Sequence, residues 1–284
     1  MRQKSESLWT LSYRKFCRNR TAMVGVVILL FFTVVAFLAP YISPYDPLEQ
    51  SFIKSLLPPS KEHLFGTDEF GRDLFSRLLY GARISLQIGF ISVTISLVIG
   101  VTLGLIAGYY GSWLDMVIMR VMDLMLCFPY ILLALVIMAI LGPGLYNAMI
   151  AIGIVYIPTF ARIVRSSVLT IKEEEYIKAV KSLGAGDLRI LLKHVLINAM
   201  APIIIQATLS IGRAIINAAG LSFLGLGAQP PTPEWGAILS NGQTFLRDAP
   251  WVATFPGIAI ALLVLGFNLV GDGLRDAFDP KLKR

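Results

Sequence analysis

A chain of 284 residues in which 56% are hydrophobic and only 15% charged is too apolar for an ordinary soluble domain. Its apolar residues come in runs of about twenty, the length that crosses a hydrocarbon layer ~30 Å thick, which marks a polytopic membrane protein. The net charge of +7 is explained by where the charges lie along the chain rather than by a nucleic-acid partner.

Residues 1–21 form a polar, basic tail with Arg14, Lys15, Arg18 and Arg20 just before the first span, residues 22–39, which Pro40 stops. No small-residue cleavage site follows this run, so it reads as a retained span rather than a signal peptide. Residues 40–83 are a polar outer connection whose first half carries Pro40, Pro44, Pro47, Pro58 and Pro59. Its second half, Thr67–Arg83, places Phe70, Leu74, Leu78 and Leu79 against Arg72, Asp73 and Arg77 at helical spacing. That pattern predicts an amphipathic helix lying on the membrane surface.

The second span is predicted over Ile84–Tyr109, with Gly100, Gly104 and Gly108 on a stripe that lets a neighbouring helix approach closely. After a short turn at Gly111–Asp115, the third span covers Met116–Leu141, with Pro129 inside it and Arg120 and Asp123 as a structural or interfacial charge pair. Gly142-Pro143-Gly144 is a turn, and Tyr146–Ala161 begins the fourth span, which ends near Val168 past the interfacial anchors Arg162 and Arg165. The fifth span is Val195–Leu221, interrupted by Pro202, and the sixth is Trp251–Val270. Between them, 222–250 is a Gly- and Pro-rich ordered loop. Trp235 and Trp251 are expected at the outer interface, with Trp235 also a candidate to meet an extracellular partner.

With the N-terminus inside, the outer segments 40–83, 142–145 and 222–250 hold only Lys54, Lys61, Arg72, Arg77, Arg83 and Arg247. Apart from Arg120 and Arg213 within spans, every other one of the 25 Lys and Arg falls in an inner segment. The positive-inside rule therefore predicts six spans with both termini cytoplasmic. It also puts the one strongly charged stretch of the second half, 170–194, on the cytoplasmic side.

That stretch has its own internal design. Thr170 and Glu173 have the spacing of a capping box, and Glu173, Glu174 and Glu175 would fill the first turn of a short helix reaching Leu183. Glu174 and Lys178 stand at i, i+4. Gly184 can take the positive φ that ends the helix, and Asp187 is a candidate cap for the next one. Tyr176, Ile177, Val180 and Leu183 form an apolar stripe that either packs on the protein's own inner ends or enters a groove on a partner.

The spacing Ala179-Val180-Lys-Ser-Leu-Gly184, with Leu196 beyond, resembles the loop signature of ABC-type importer permeases, roughly E-A-A-x3-G-x9-I-x-L-P. Lys178, Val180, His194 and Ile197 depart from it. Longer motifs resemble the dipeptide/oligopeptide/nickel permease family, specifically its second permease subunit. They are Phe65-Gly-Thr-Asp-Glu-Phe-Gly-Arg-Asp73 with Ser76-Arg77 and Gly81-Ala-Arg-Ile-Ser-Leu86; Ala219-Gly-Leu-Ser-Phe-Leu-Gly-Leu-Gly227 with Pro230-Pro-Thr-Pro-Glu-Trp-Gly236; and Asn268-Leu-Val-Gly-Asp-Gly-Leu-Arg-Asp276 with Asp279-Pro280. Together with Pro44-Tyr-Asp-Pro47 they span nearly the whole chain.

The resemblance implies an all-α integral membrane protein of type I importer permease fold. Residues 84–271 would be the core transmembrane domain, with a coupling loop at 170–194, and 272–284 a cytoplasmic tail. It further implies a prokaryotic cytoplasmic membrane, a homologous sister permease, two ATPase subunits and an extracellular or periplasmic solute-binding protein. ATP and Mg would bind the ATPases, since this chain has no Gly-x4-Gly-Lys-Ser/Thr loop. Glu175, Tyr176, Lys178, Ala179, Val180, Gly184 and Asp187 would couple to an ATPase. Gln206, Arg213 and Asn217, late in the fifth span, are the candidates for the solute path, although Arg213 stands close enough to the outer surface to snorkel there.

The implied cargo is a dipeptide or short oligopeptide, with a nickel chelate or a glutathione-like peptide as alternatives. No constellation of catalytic groups is present. The isolated His63 and His194 offer no metal site, and neither Cys17 nor Cys127 suggests a disulfide. An ATP-independent secondary transporter is the other class of function. It is disfavoured because no inverted repeat is visible and the motifs point elsewhere.

Overall fold

The computed structural model describes residues 8–278, and their regular structure is helical apart from one β-bridge between Thr67 and Asp73. The last residues of the final motif, Asp279-Pro280, lie outside the described residues. Helix α1 (Leu8–Arg18) is followed by α2 (Arg20–Ile42), whose start is capped by Asn19 Oδ1 accepting the Thr21 and Ala22 N–H groups. Pro40 sits inside the last turn of α2 rather than ending it, because one missing N–H leaves the Ser43 N–H to Ala39 bond intact.

Helix α3 (Leu74–Tyr110) is a single helix of 37 residues, about 55 Å long at 1.5 Å per residue. The surface helix predicted over Thr67–Arg83 does not form. Residues 67–73 make a tight turn, and 74–83 are the first turns of α3 itself. The charges read as its wet face are buried, with Arg72, Asp73 and Arg77 each 3% exposed. Helical spacing of charges looks the same whether the polar face meets water or a polar partner, and here the partner is the outer segment itself.

Asp68 takes Arg72 Nε at 2.6 Å, lies 3.4 Å from Arg77 Nε, and accepts the N–H groups of Phe70 and Arg72. Asp73 caps α3 through the Ser76 N–H and hydroxyl, each at 2.7 Å, and its other oxygen is 2.9 Å from His63 Nδ1. Arg77 then donates to the Pro47 carbonyl at 3.0 Å. These buried charges pair with one another, the condition under which they are tolerated at all, although Arg77 Nε and His63 Nε2 make no hydrogen bond.

The third predicted span is broken. Helices α4 (Ser112–Leu126) and α5 (Tyr130–Leu141) meet at 96°, because Pro129 cannot continue the ladder and biases the residue before it away from helix. The turn before α4 is also shorter than predicted, with Gly111 and Ser112 both at positive φ. Five helices are thus long and apolar enough to cross a membrane, and the bent pair makes six if it counts as one span.

Helix α6 (Leu145–Ile171) packs along α3 on the predicted glycine stripe, so closely that a Cβ on Gly104 would lie 2.5 Å from the Ala161 carbonyl oxygen. Asp123 pairs with Arg162 and Asp115 with Arg165, tying α4 to α6. One expectation is thereby corrected: Arg120 is not the partner of Asp123, while Arg162 and Arg165, read as interfacial anchors, are ion-paired to α4.

The charged stretch contains α7 (Glu175–Ser182) and α8 (Asp187–Ile190), which passes through a π-helical turn at Leu191–Val195 into α9 (Leu196–Phe223). Helix α9 runs through Pro202 unbroken. The loop after α9 folds α10 (Trp235–Gly242) before α11 (Trp251–Phe278). Trp235 is no interface marker: it is 1% exposed, lies against Gly81, and donates Nε1–H to the Leu78 carbonyl at 3.0 Å. Glu234 caps α10 by accepting the Gly236 and Ala237 N–H groups, and burial holds its carboxyl above the usual range. One apolar core runs through α2, α3, α5, α6, α9, α10 and α11.

Candidate functional site

The charged stretch folds as a handle. Helix α7 has only eight residues, about two turns, and no side chain caps it. The capping box does not form, because α6 continues through Thr170, whose hydroxyl bonds back to the Ser166 carbonyl. The α6 end is held there by buried Val168 and by Lys172 Nζ on the Gly108 carbonyl at 2.9 Å. Lys178 pairs with Glu173 at 3.2 Å, not with Glu174.

The C-terminus of α7 follows its local chemistry. Gly184 takes φ +83°, its N–H bonds to Lys181 at 3.0 Å, and the Ala185 N–H bonds to Val180 at 3.3 Å. This double bond pattern closes a helix when the residue after the cap is left-handed. Asp187 does not cap α8. Its carboxylate accepts the Tyr109 hydroxyl at 2.7 Å, tying the handle to the C-terminal end of α3.

The apolar stripe divides between the two uses open to it. Ile177 is buried, and Val180 half-buried, against a cluster that includes Leu105, Val164, Val168, Ile190 and Val195. Tyr176 is half exposed, and its hydroxyl accepts from Asn198 Nδ2 at 3.0 Å. Burial, with Glu174 nearby, raises its pKa, so the hydroxyl stays protonated. Glu175, Lys178, Ala179, Leu183, Gly184 and Leu188 face outward, with Leu183 87% and Leu188 70% exposed. Two exposed leucines thus flank a fixed turn at the end of a helix anchored from behind.

The second feature is a groove of about 390 Å³ between the α4–α5 break, α6 and α9, lined by Tyr130, Tyr156, Thr159, Arg213, Ile216 and Asn217 among others. Of the three predicted path residues, Arg213 and Asn217 meet there. Gln206 does not reach it and donates to Ser210 Oγ at 3.0 Å. Asn217 is buried and donates to the Tyr156 hydroxyl at 2.6 Å. The sequence reading missed Tyr130, Tyr156 and Thr159. The only available signal was the polar tips of these residues within apolar runs.

Residues 100–284 match the family model described as binding-protein-dependent transport system inner membrane component. Residues 7–59 match that of the N-terminal TM domain of oligopeptide transport permease C. The chain is 54% identical over 277 residues to a dipeptide transport system permease protein DppC of Alkalihalophilus pseudofirmus, covering 98% of this chain and 91% of the relative. It is 48% identical to a glutathione transport system permease protein GsiD of Pectobacterium atrosepticum, with 97% and 92% covered. Among solved structures, an inward-facing MetNI methionine ABC transporter chain superposes with a TM-score of 0.59 at 21% identity, over 72% of this chain and 97% of that one. That likeness carries the fold alone, an all-α bundle of the same architecture. With a family model spanning well over half its length and near full-length relatives around half identical, the chain belongs to the binding-protein-dependent transport system inner membrane components, the permeases of ABC importers.

Proposed function

We propose that this chain forms, with a homologous sister permease, the membrane path of an importer for dipeptides or short oligopeptides. Two separate ATPase subunits bind ATP and Mg and drive it, while the chain itself binds no nucleotide and performs no catalysis. A solute-binding protein delivers the peptide from outside, and both termini lie in the cytoplasm. The handle at α7 docks on one ATPase through Ala179, Leu183, Gly184 and Leu188.

The observation that carries the coupling role is the division of α7 into an anchored face, Ile177 and Val180, and an exposed face ending in the Gly184 turn. A helix held from behind by its own protein passes on any displacement applied to its front. The peptide cargo rests on the dipeptide-named relative at 54% identity. A glutathione-like peptide is the second reading, favoured by the relative at 48%.

The test is uptake by the reconstituted importer with its binding protein. Dipeptide accumulation should require ATP inside the vesicles and survive collapse of ion gradients. Excess glutathione or chelated nickel should compete poorly. Uptake driven by an ion gradient without ATP would overturn the mechanism, and strong competition by glutathione would transfer the cargo reading to it.

A further inference from the structure

The groove beside α9 has a chemistry of its own. Arg213 lies ten residues, about 15 Å, before the outer end of α9 and about 26 Å beyond Leu196. It stands in the half of the span nearer that end, exposed and within snorkelling reach of the surface, and an ionisable group there needs a partner or a watery path. No hydrogen-bond or ion-pair partner holds it among the described residues, and no acidic side chain lines the groove.

Its polar neighbours are arranged as donors. Asn217 Nδ2 donates to the Tyr156 oxygen, which leaves the Tyr156 hydroxyl proton to point elsewhere. Tyr130 and Thr159 add two more hydroxyls on the same wall. Tyr130 is also the first residue of α5, whose opening turn follows Pro129 and is capped by no side chain. The positive end of that half-helix thus begins at the groove where the span breaks, an arrangement that favours anionic groups in membrane paths.

We propose that this groove is a carboxylate subsite on the transport path, in which Arg213, aided by the Tyr156, Tyr130 and Thr159 hydroxyls, receives the free C-terminal carboxylate of a passing peptide. The proposal rests on the peptide cargo proposed above. A guanidinium matches a carboxylate with two parallel hydrogen bonds. The groove is open, so the peptide is held loosely enough to leave.

The experiment uses the reconstituted importer with its binding protein and radiolabelled dialanine, comparing wild type with Arg213→Gln and Arg213→Lys. Two quantities are read: ATPase stimulation by the loaded binding protein, which reports docking, and peptide taken up per ATP. Arg213→Gln should keep the stimulation and lose about tenfold or more in uptake per ATP, with Arg213→Lys recovering much of it. Unchanged uptake per ATP in Arg213→Gln would overturn the subsite. So would failure of this variant to co-purify with the sister permease, since Arg213 would then be an assembly contact. A wild type that accumulates no dialanine in ATP would remove the peptide reading, and the subsite with it.

Discussion

Gly184 offers the sharpest test of how the handle is built. Its φ of +83° is a conformation that costs an ordinary L-residue roughly 1–2 kcal/mol, whereas Asn tolerates it better. Among the described residues, nothing beyond its chain neighbours lies within 4 Å of where a Cβ would sit, so the cost is conformational and not steric. If the closed turn is the form that docks, Gly184→Ala should lower the competent population about 5- to 30-fold and weaken ATPase association by that factor. Gly184→Asn should fall close to wild type, and Gly184→Val should be worst, because β-branching is least compatible with positive φ. Solute-stimulated ATPase activity at graded ATPase-subunit concentrations measures the series. The order Asn, Ala, Val follows from backbone conformation. An order with Ala above Asn would mean that bulk against the partner governs the site, and the conformational account would be wrong.

The outer charge cluster gives a second expectation: Asp68→Asn leaves Arg72 and Arg77 buried without their shared carboxylate and should destabilise by about 3–5 kcal/mol, seen as a lowered unfolding temperature of the purified complex. On the α3–α6 seam, Gly104→Ala should cost about 1–3 kcal/mol because the new methyl meets backbone at Ala161. Gly220→Ala, whose methyl would stand 3.8 Å from Ile131, should be close to neutral, and equal effects of the two would refute the close-packing account. Glu69 has a raised pKa, chiefly from burial. Its folded form therefore holds the proton more tightly than the unfolded chain does, and its contribution is complete below the ordinary pKa of 4.5 and lost as pH rises through the folded value. Glu69→Gln should thus gain stability relative to wild type as pH rises from acid to neutral, and parallel unfolding-temperature profiles would count against it.

Periodicity and small-residue spacing are properties of the chain alone, which is why the spans, the Gly100–Gly104–Gly108 seam and the left-handed turn at Gly184 could be read directly. Where a local pattern competes with a tertiary contact, the contact wins. Thr170 and Glu173 have capping spacing, yet buried Val168 and the Lys172 tether carry α6 through them. The charges of 68–77 have surface-helix spacing, but besides pairing with one another they take a histidine ten residues away and a proline carbonyl thirty residues away, which no local window contains. The groove is the extreme case. Tyr130, Tyr156 and Arg213 come from three elements, and only the 96° break at Pro129 brings the head of α5 to the other two. A proline announces a break but not its direction.

The two ends of the bundle differ in how they are held, and this bears on where movement imposed at α7 would go. At one end, α3, α10, α11 and the segment before α3 are cross-linked by Asp68 with its arginines, by Trp235 on the Leu78 carbonyl and by Trp251 on the Thr67 carbonyl. On the other side, α7 and α8 are fixed to α3, α6 and α9 by one apolar cluster and the Tyr109–Asp187 bond. On the proposed coupling, a displacement at α7 therefore enters α6 and α9 from one end while their far ends stay packed. The loosest element between them is the bent pair: α4 buries only Met122, and α5 only Ala134 and Met138. Both ion pairs to α6 hold the α4 half, leaving α5 to change its angle at Pro129. Because Tyr130 at the head of α5 lines the same groove as Arg213, any change in that angle would, on the proposed coupling, alter the width of the groove itself.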